Sequence, residues 1–287
     1  MAEHTVWNTL RVSPPGPLLD PLAGLFMELG AEGTWEDGAD LVAYFPPALR
    51  PDEVELALTA WLGHLEACGV AVFTPRCVWE EQGEGDWITA WKAHFAPIPV
   101  GRLMVLPEWE DDARGLIPLK IRPGRGFGTG GHDTTATCLR RIQAFLEHHP
   151  HPAAVRVLDV GTGSGILAIA AHKLGAGHVT GFDNDPDAVE NAHDNAALNG
   201  ADIHLSTATL DGVRGQYDLV LANLLAHVIV ELMPELARVL APGGRLILSG
   251  ILNEQGDRID QALAKHGLKA VNYESRGMWL TIDAAPA

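Results

Sequence analysis

The sequence predicts an α/β protein: a doubly wound, largely parallel sheet with an antiparallel C-terminal strand, preceded by a smaller α/β domain. Three observations lead there. Trp7, Trp35, Trp61, Trp79, Trp87, Trp91 and Trp109 all precede residue 110, whereas Gly-, Ala- and Leu-rich segments dominate beyond residue 150. A composition shift of that kind marks a domain boundary. In the second zone, short apolar runs alternate with stretches of helical spacing, the pattern of a parallel sheet covered on both faces by helices. The chain then closes on two strand-like runs around Ser275-Arg276-Gly277, which reads as a hairpin and brings an antiparallel strand into the sheet.

In the first zone, residues 5–12 read as a strand. Residues 17–29 read as a helix with Leu18, Leu22, Leu25, Phe26 and Leu29 on one face. A strand at 41–45 follows the turn-like Glu36-Asp37-Gly38. Pro51-Asp52-Glu53 then starts a helix carrying Val54, Leu58, Trp61, Leu62 and Leu65. Residues 70–79 supply a further strand. This order of strand, helix, strand, helix, strand fits a ferredoxin-like α/β sandwich. Residues 86–95 read as a short helix with Trp87 and Trp91 on one face, by core packing or by function. Pro97, Pro99, Pro107 and Pro118 punctuate extended connecting segments and edge strands. The expected division is therefore a first domain at 1–82, a linker helix and connector at 83–110, and the larger domain at 111–287.

In the larger domain a helix runs from about 134 to 149. Strands follow at 155–160, 179–182, 203–206, 219–221 and 246–249, separated by helices at 166–174, 187–198, 228–240 and 255–266. The hairpin pairs 269–274 with 278–283.

A chain of 287 residues with 47% hydrophobic content describes a soluble globular protein. Met1-Ala2-Glu3-His4 lacks the basic, then apolar, start of a signal peptide, and a cytoplasmic location is expected. Cys68, Cys77 and Cys138 show neither disulfide nor zinc spacing and read as buried small hydrophobes. The net charge of −17 opposes non-specific binding to nucleic acid. Residues 1–100 hold 15 Asp and Glu against 4 Lys and Arg, which suits either a basic partner or a merely solubilising surface.

The chemistry-bearing segment is Asp159-Val160-Gly161-Thr162-Gly163-Ser164-Gly165, placed between a predicted strand and a predicted helix. Gly161, Gly163 and Gly165 permit positive φ and leave no Cβ to obstruct a ligand, while the helix start offers free N–H groups. Asp183 falls at the end of the next strand, 22 residues after Gly161, where a carboxylate can accept both hydroxyls of a ribose. The alternative role for Asp183 is to cap the following helix, but Asp185, directly before Pro186, is better placed for that. A calcium loop at Asp183 to Asp194 is disfavoured, because Ala188 stands where the turn glycine is required and Asp194 where glutamate is; no metal is expected. A nicotinamide cofactor is disfavoured as well. The spacing is G-x-G-x-G, and Ile166 occupies the place where G-x-G-x-x-G needs glycine. A sulfonium cofactor has no pyrophosphate to seat on the helix start, so the departure points toward S-adenosylmethionine.

Two further motifs are more specific. Phe127-Gly128-Thr129-Gly130-Gly131-His132-Asp133-Thr134-Thr135 resembles F-G-T-G-x-H-x-T-T, and Asn223-Leu224-Leu225-Ala226 resembles N-[IL]-L-A. Both are motifs of the bacterial PrmA methyltransferases, which modify the large-subunit ribosomal protein numbered eleven. Ser249-Gly250-Ile251-Leu252 and Asp86-Trp87 through Trp91 to His94-Phe95 are also similar to that family, and the likeness spans essentially the whole chain. It implies a Rossmann-like class I methyltransferase sheet, a substrate-recognition domain ahead of it, and S-adenosylmethionine as cofactor. By position, Thr135, Gly161, Gly163, Asp183 and Asn223 would contact the cofactor, with Asn223 also in the catalytic role. The implied reaction is methyl transfer to lysine ε-amines, an N-terminal α-amine, or both, of a basic ribosomal protein by a monomeric enzyme. Asn223 would orient the amine; its alternative is a turn residue satisfying strand-end backbone. Enzymes for glutamine or nucleic-acid amines often carry Asn-Pro-Pro-aromatic here, and Leu224 and Leu225 replace both prolines. A non-catalytic cofactor-binding regulator is the alternative from another class. His132 reads as a structural loop residue as readily as a base.

Overall fold

The computed structural model describes residues 6–31, 33–67, 70–83, 96–122 and 133–287. The chain divides into two units, Met1–Ala96 and Pro97–Ala287. In the first, β1 (Val6–Val12), α1 (Leu19–Glu28), β2 (Gly33–Asp37), β3 (Asp40–Phe45), α2 (Pro51–Ala67) and β4 (Val78–Gly83) follow one another. Their antiparallel sheet has the order β2-β3-β1-β4, the ferredoxin-like arrangement. Pro51 opens α2 and Asp52 and Glu53 lie in its first turn, where negative charge opposes the helix dipole. Val54, Leu58 and Leu62, spaced four apart, bury one face of α2 against Leu10, Leu22, Phe26, Leu41 and Phe45.

Two strands differ from expectation. Glu36 and Asp37 belong to β2, and the turn is the two-residue Gly38-Ala39, with Gly38 at φ 66° and Asp37 opposite Asp40. Expected strand 70–79 begins only at Val78. Pro75 lacks the N–H that a ladder needs, and β4 lies at a sheet edge, where the polar Glu80, Glu81 and Gln82 are tolerated. Cys138 is buried, whereas Cys77 is only half-buried; Cys68 and the segment Asp86 to Phe95 lie outside the described residues.

The second unit opens with β5 (Ile98–Val100), β6 (Leu103–Pro107) and β7 (Ile117–Ile121), a small sheet in that order. Its Val100, Leu103, Val105, Leu119 and Ile121 enter the main core. There follow α3 (Asp133–His148), β8 (Arg156–Val160), α4 (Ile166–Lys173), β9 (His178–Asp183), α5 (Pro186–Asn199), β10 (His204–Thr207), β11 (Tyr217–Asn223), α6 (Ala226–Val239), β12 (Leu240–Leu252), α7 (Gly256–Lys265), β13 (Leu268–Arg276) and β14 (Trp279–Pro286). The seven-stranded order is β10-β9-β8-β11-β12-β14-β13. β14 runs antiparallel to both neighbours.

Side-chain alternation puts a core on each face. Val157, Leu219 and Leu221 pack with α3, α4 and α5, while Leu158, Val160, Val220 and Ala222 pack with α6 and α7. Burial on both faces is why these strands read as unbroken apolar runs. The strand order reverses between β8 and β11, and open α/β sheets of this kind bind ligands outside the carboxyl ends at that point. The carboxyl ends of β8, β9 and β11 carry the glycine loop, Asp183 and Asn223. Among the described residues no helix is long and apolar enough to cross a membrane.

Candidate active site

The glycine loop is a backbone structure held from outside. Gly161, Gly163 and Gly165 have φ of 69°, 53° and 77°, the left-handed region that glycine adopts without strain. The Gly161 and Thr162 N–H groups both donate to the Phe182 carbonyl, at 3.0 and 2.9 Å, tying the loop to the end of β9. At Gly161 space matters as much as φ, since a Cβ would lie 2.5 Å from Leu224 Cδ2.

Two carboxylates finish the loop. Asp159, 1% exposed, accepts from the Thr162 hydroxyl at 2.7 Å and from the Ala168 N–H at 3.2 Å, so it joins loop and helix from beneath. Asp183 accepts from the Gly163 N–H at 2.9 Å and from the Asp185 N–H at 3.1 Å. Asp185 caps α5 by accepting from the Asp187 N–H at 3.0 Å, with Pro186 in the first turn. Asp183 is thereby left at the cleft rather than used as a cap.

Burial pushes the Asp159 carboxyl up to about 6; the Thr162 and Ala168 hydrogen bonds pull it down, and the nearby Asp183 charge adds to the rise. The folded-state value lies above the ordinary 3.8, so the native state binds the proton more tightly than the unfolded chain. The contribution to stability is full below pH 3.8 and is lost as pH rises through about 6. Asp159→Asn removes this dependence. On going from pH 4.5 to pH 7.5, the melting temperature of the variant relative to wild type should shift upward by on the order of 5 °C. A difference that stays constant across that range in thermal melts would contradict a buried, raised Asp159.

Asn223 ends β11 opposite Ser249 of β12, and the Leu224 N–H donates to the Ser249 carbonyl at 3.0 Å. Gly250 has φ 79°, and a Cβ there would lie 2.5 Å from the Leu224 carbonyl oxygen. Ser249-Gly250 therefore lets the Leu224 backbone pass, while the Leu224 side chain seats on Gly161. Leu225 points outward, 59% exposed. Between these contacts the buried Asn223 Oδ1 has no hydrogen-bond partner among the described residues, and neither has Oγ1 of Thr135, fully buried near the start of α3. An unpaired buried polar atom costs about 1–3 kcal/mol. At the carboxyl end of the sheet, a bound molecule could complete the hydrogen bonding of Asn223 Oδ1.

Of the residues expected from the sequence, Gly161, Gly163 and Asp183 are joined directly, and Asn223 adjoins them through Leu224. Thr135 sits on α3, which packs against β11 and β12. Phe127 to His132 lie outside the described residues. The roles of Asp159 and Gly250 were not anticipated. Their signals are an acid inside an apolar strand and a glycine just beyond the expected strand 246–249, which lies inside the longer β12.

A family model described as ribosomal protein L11 methyltransferase (PrmA) matches residues 23–286. The chain belongs to the PrmA family. Among its PrmA relatives, the ribosomal protein L11 methyltransferase of Symbiobacterium thermophilum is 43% identical over 246 residues, 84% of this chain and 79% of that protein. The one from Geobacter metallireducens is 38% identical over 293 residues, 95% of this chain and 96% of that protein. The crystal structure of ribosomal protein L11 methylase from Lactobacillus delbrueckii subsp. bulgaricus aligns with a TM-score of 0.60 at 36% identity, covering 67% of this chain and 98% of that one. Within this PrmA chain the sheet is that of the Rossmann-like class I methyltransferases.

Proposed function

We propose that the chain transfers methyl groups from S-adenosylmethionine to amines of ribosomal protein L11, at lysine side chains, the N-terminal α-amine, or both. The observation that carries the reading is the buried Asn223 Oδ1, without a hydrogen-bond partner among the described residues, set beside a glycine loop whose Gly163 is held by Asp183. Gly161, Gly163, Asp183 and Thr135 would hold the cofactor, with Asn223 serving both cofactor and amine. Bound there, S-adenosylmethionine supplies a methyl group already activated by its sulfonium. The protein's own work is then to align the nucleophile for in-line displacement and to keep water out. A lysine ammonium, with an ordinary pKa of about 10.4, must first give up its proton to solvent water, which desolvation in the cleft favours. Asn223 Oδ1 accepts a hydrogen bond from the amine and turns its lone pair toward the methyl group.

The acidic first unit acts as the substrate-recognition domain, attracting a basic ribosomal protein at long range, with residues 83–110 as the linker and connector to the transfer unit. This reading carries with it a monomer working in the cytoplasm, without direct specificity for nucleic acid. The test is incubation of the full chain with methyl-labelled S-adenosylmethionine and unmethylated large-subunit proteins, followed by mass spectrometry. Label on L11 amines is the expected result. Label on a glutamine side chain or on RNA, or cofactor binding without any transfer, would replace this reading.

A further inference from the structure

We infer that Asn195 is a positioning residue for the cofactor loop, acting through the Ser164 carbonyl; the inference rests on the cofactor reading above. α5 carries Asn191, Asn195 and Asn199 one turn apart within its 14 residues. Asparagine is a poor helix former, because its amide competes for backbone groups. Two of the three, Asn195 and Asn199, use both ends of the amide on other elements.

The Asn195 side chain is fully buried and uses both ends. Its Nδ2 donates to the Ser164 carbonyl at 2.9 Å, and its Oδ1 accepts from the Arg122 N–H at 2.8 Å. Asn199 performs a parallel task one turn later. Its Oδ1 accepts from the Lys120 N–H at 2.9 Å, and its Nδ2 donates to the Lys120 carbonyl at 2.5 Å. The two amides thus continue the hydrogen-bonding edge at the end of β7 as a further strand would. Asn195 alone of the two reaches the glycine loop.

The loop needs that anchor. Ser164 lies between Gly163 and Gly165, both at positive φ, and glycines leave the backbone free to pivot. Thr162 is held through its hydroxyl by Asp159, and Gly163 through its N–H by Asp183. Ser164 is held through its carbonyl by Asn195. Each successive loop residue is therefore fixed by one side chain from a different element. The Gly165 N–H end of the Ser164–Gly165 peptide is held by the Thr162 carbonyl at 2.8 Å, and Asn195 ties its Ser164 carbonyl end to α5; without Asn195 the loop loses that tie just ahead of α4. The same amide holds Arg122, the point from which the chain runs on toward the Phe127 to Thr135 motif.

Asn199 provides the control, because its loss weakens the β7 edge without touching the glycine loop. Full-length Asn195→Leu, Asn195→Asp and Asn199→Leu are compared with wild type by calorimetric titration with S-adenosylmethionine, well below each melting temperature. Asn195→Leu fills the same space without either hydrogen bond. Asn195→Asp keeps the acceptor for Arg122 and loses the donor to Ser164, so it isolates the loop contact should the leucine variant fail to fold. Both Asn195 variants should raise the Kd about tenfold. Asn199→Leu should lower the melting temperature comparably while leaving the Kd within about twofold. An unchanged Kd in the Asn195 variants, or an equal rise in Asn199→Leu, overturns the positioning role. A wild-type chain that binds no S-adenosylmethionine overturns instead the cofactor reading beneath it.

Discussion

Asn223→Ala should lower kcat for methyl transfer by about two to three orders of magnitude while changing the Kd for S-adenosylmethionine by less than about fivefold. The split follows from the geometry. Asn223 sits at the last residue of β11, locked by its pairing with Ser249 and by the Leu224 N–H bond to the Ser249 carbonyl. Its backbone position survives the substitution, so the cleft keeps its shape. What disappears is Oδ1, a buried acceptor with no partner of its own among the described residues. An acceptor that engages the amine chiefly as it aligns for attack stabilises the transition state more than the bound cofactor, and its removal therefore falls on kcat. Steady-state kinetics with purified L11, paired with calorimetry, tests this directly. Unchanged turnover would remove Asn223 from the reaction, and an equal loss of cofactor affinity would make it a cofactor ligand only.

Asp183→Ala should show the opposite split, weakening cofactor binding by about a hundredfold while saturating cofactor restores most of kcat. Two losses combine here. A carboxylate able to accept from ribose hydroxyls is gone, and the Gly163 N–H, which donates to it at 2.9 Å, is left without that acceptor. Hydrogen bonds to charged groups contribute roughly 1.5–3 kcal/mol each, and a hundredfold in Kd is about 2.7 kcal/mol, so the loss of one such bond to the ribose accounts for the magnitude. Asp183→Asn keeps an acceptor for Gly163 without the charge and should fall between. Calorimetry that finds the wild-type Kd in Asp183→Ala would take the residue out of the site. Together the two variants separate holding the cofactor from aligning the nucleophile.

The contrast between these residues shows how far sequence reasoning reached. Asp183 was legible because a strand end, a glycine loop and a spacing of 22 residues are local features with a stated geometry. Its alternative as a helix cap was resolved by Asp185, whose better placement before Pro186 is also local. β2 was missed because Gly33-Thr34-Trp35-Glu36-Asp37 has no clean alternation and its glycine-containing turn lies one step further on. The stretch with Pro99 and Pro107 read as connector and edge strands, and β5 and β6 place Val100, Leu103 and Val105 in the core of the second unit. Proline limits which ladder positions are open: Pro99 lies on the edge strand β5, and Pro107 is the last residue of the central β6.

Periodicity, turn chemistry and glycine spacing belong to short segments, and from them the sequence alone determined the two-zone layout, the doubly wound sheet, the C-terminal hairpin and the glycine loop between strand and helix. Motif resemblance added Thr135 and Asn223. The tertiary structure decided the rest. Asn195 meets Ser164 and Arg122 across separations of 31 and 73 residues, and Gly250 clears a path for the Leu224 backbone from the neighbouring strand. Whether a buried oxygen such as Asn223 Oδ1 finds a partner depends on every element packed around it. No segment of sequence carries that information, because hydrogen-bond satisfaction is a property of the assembled fold.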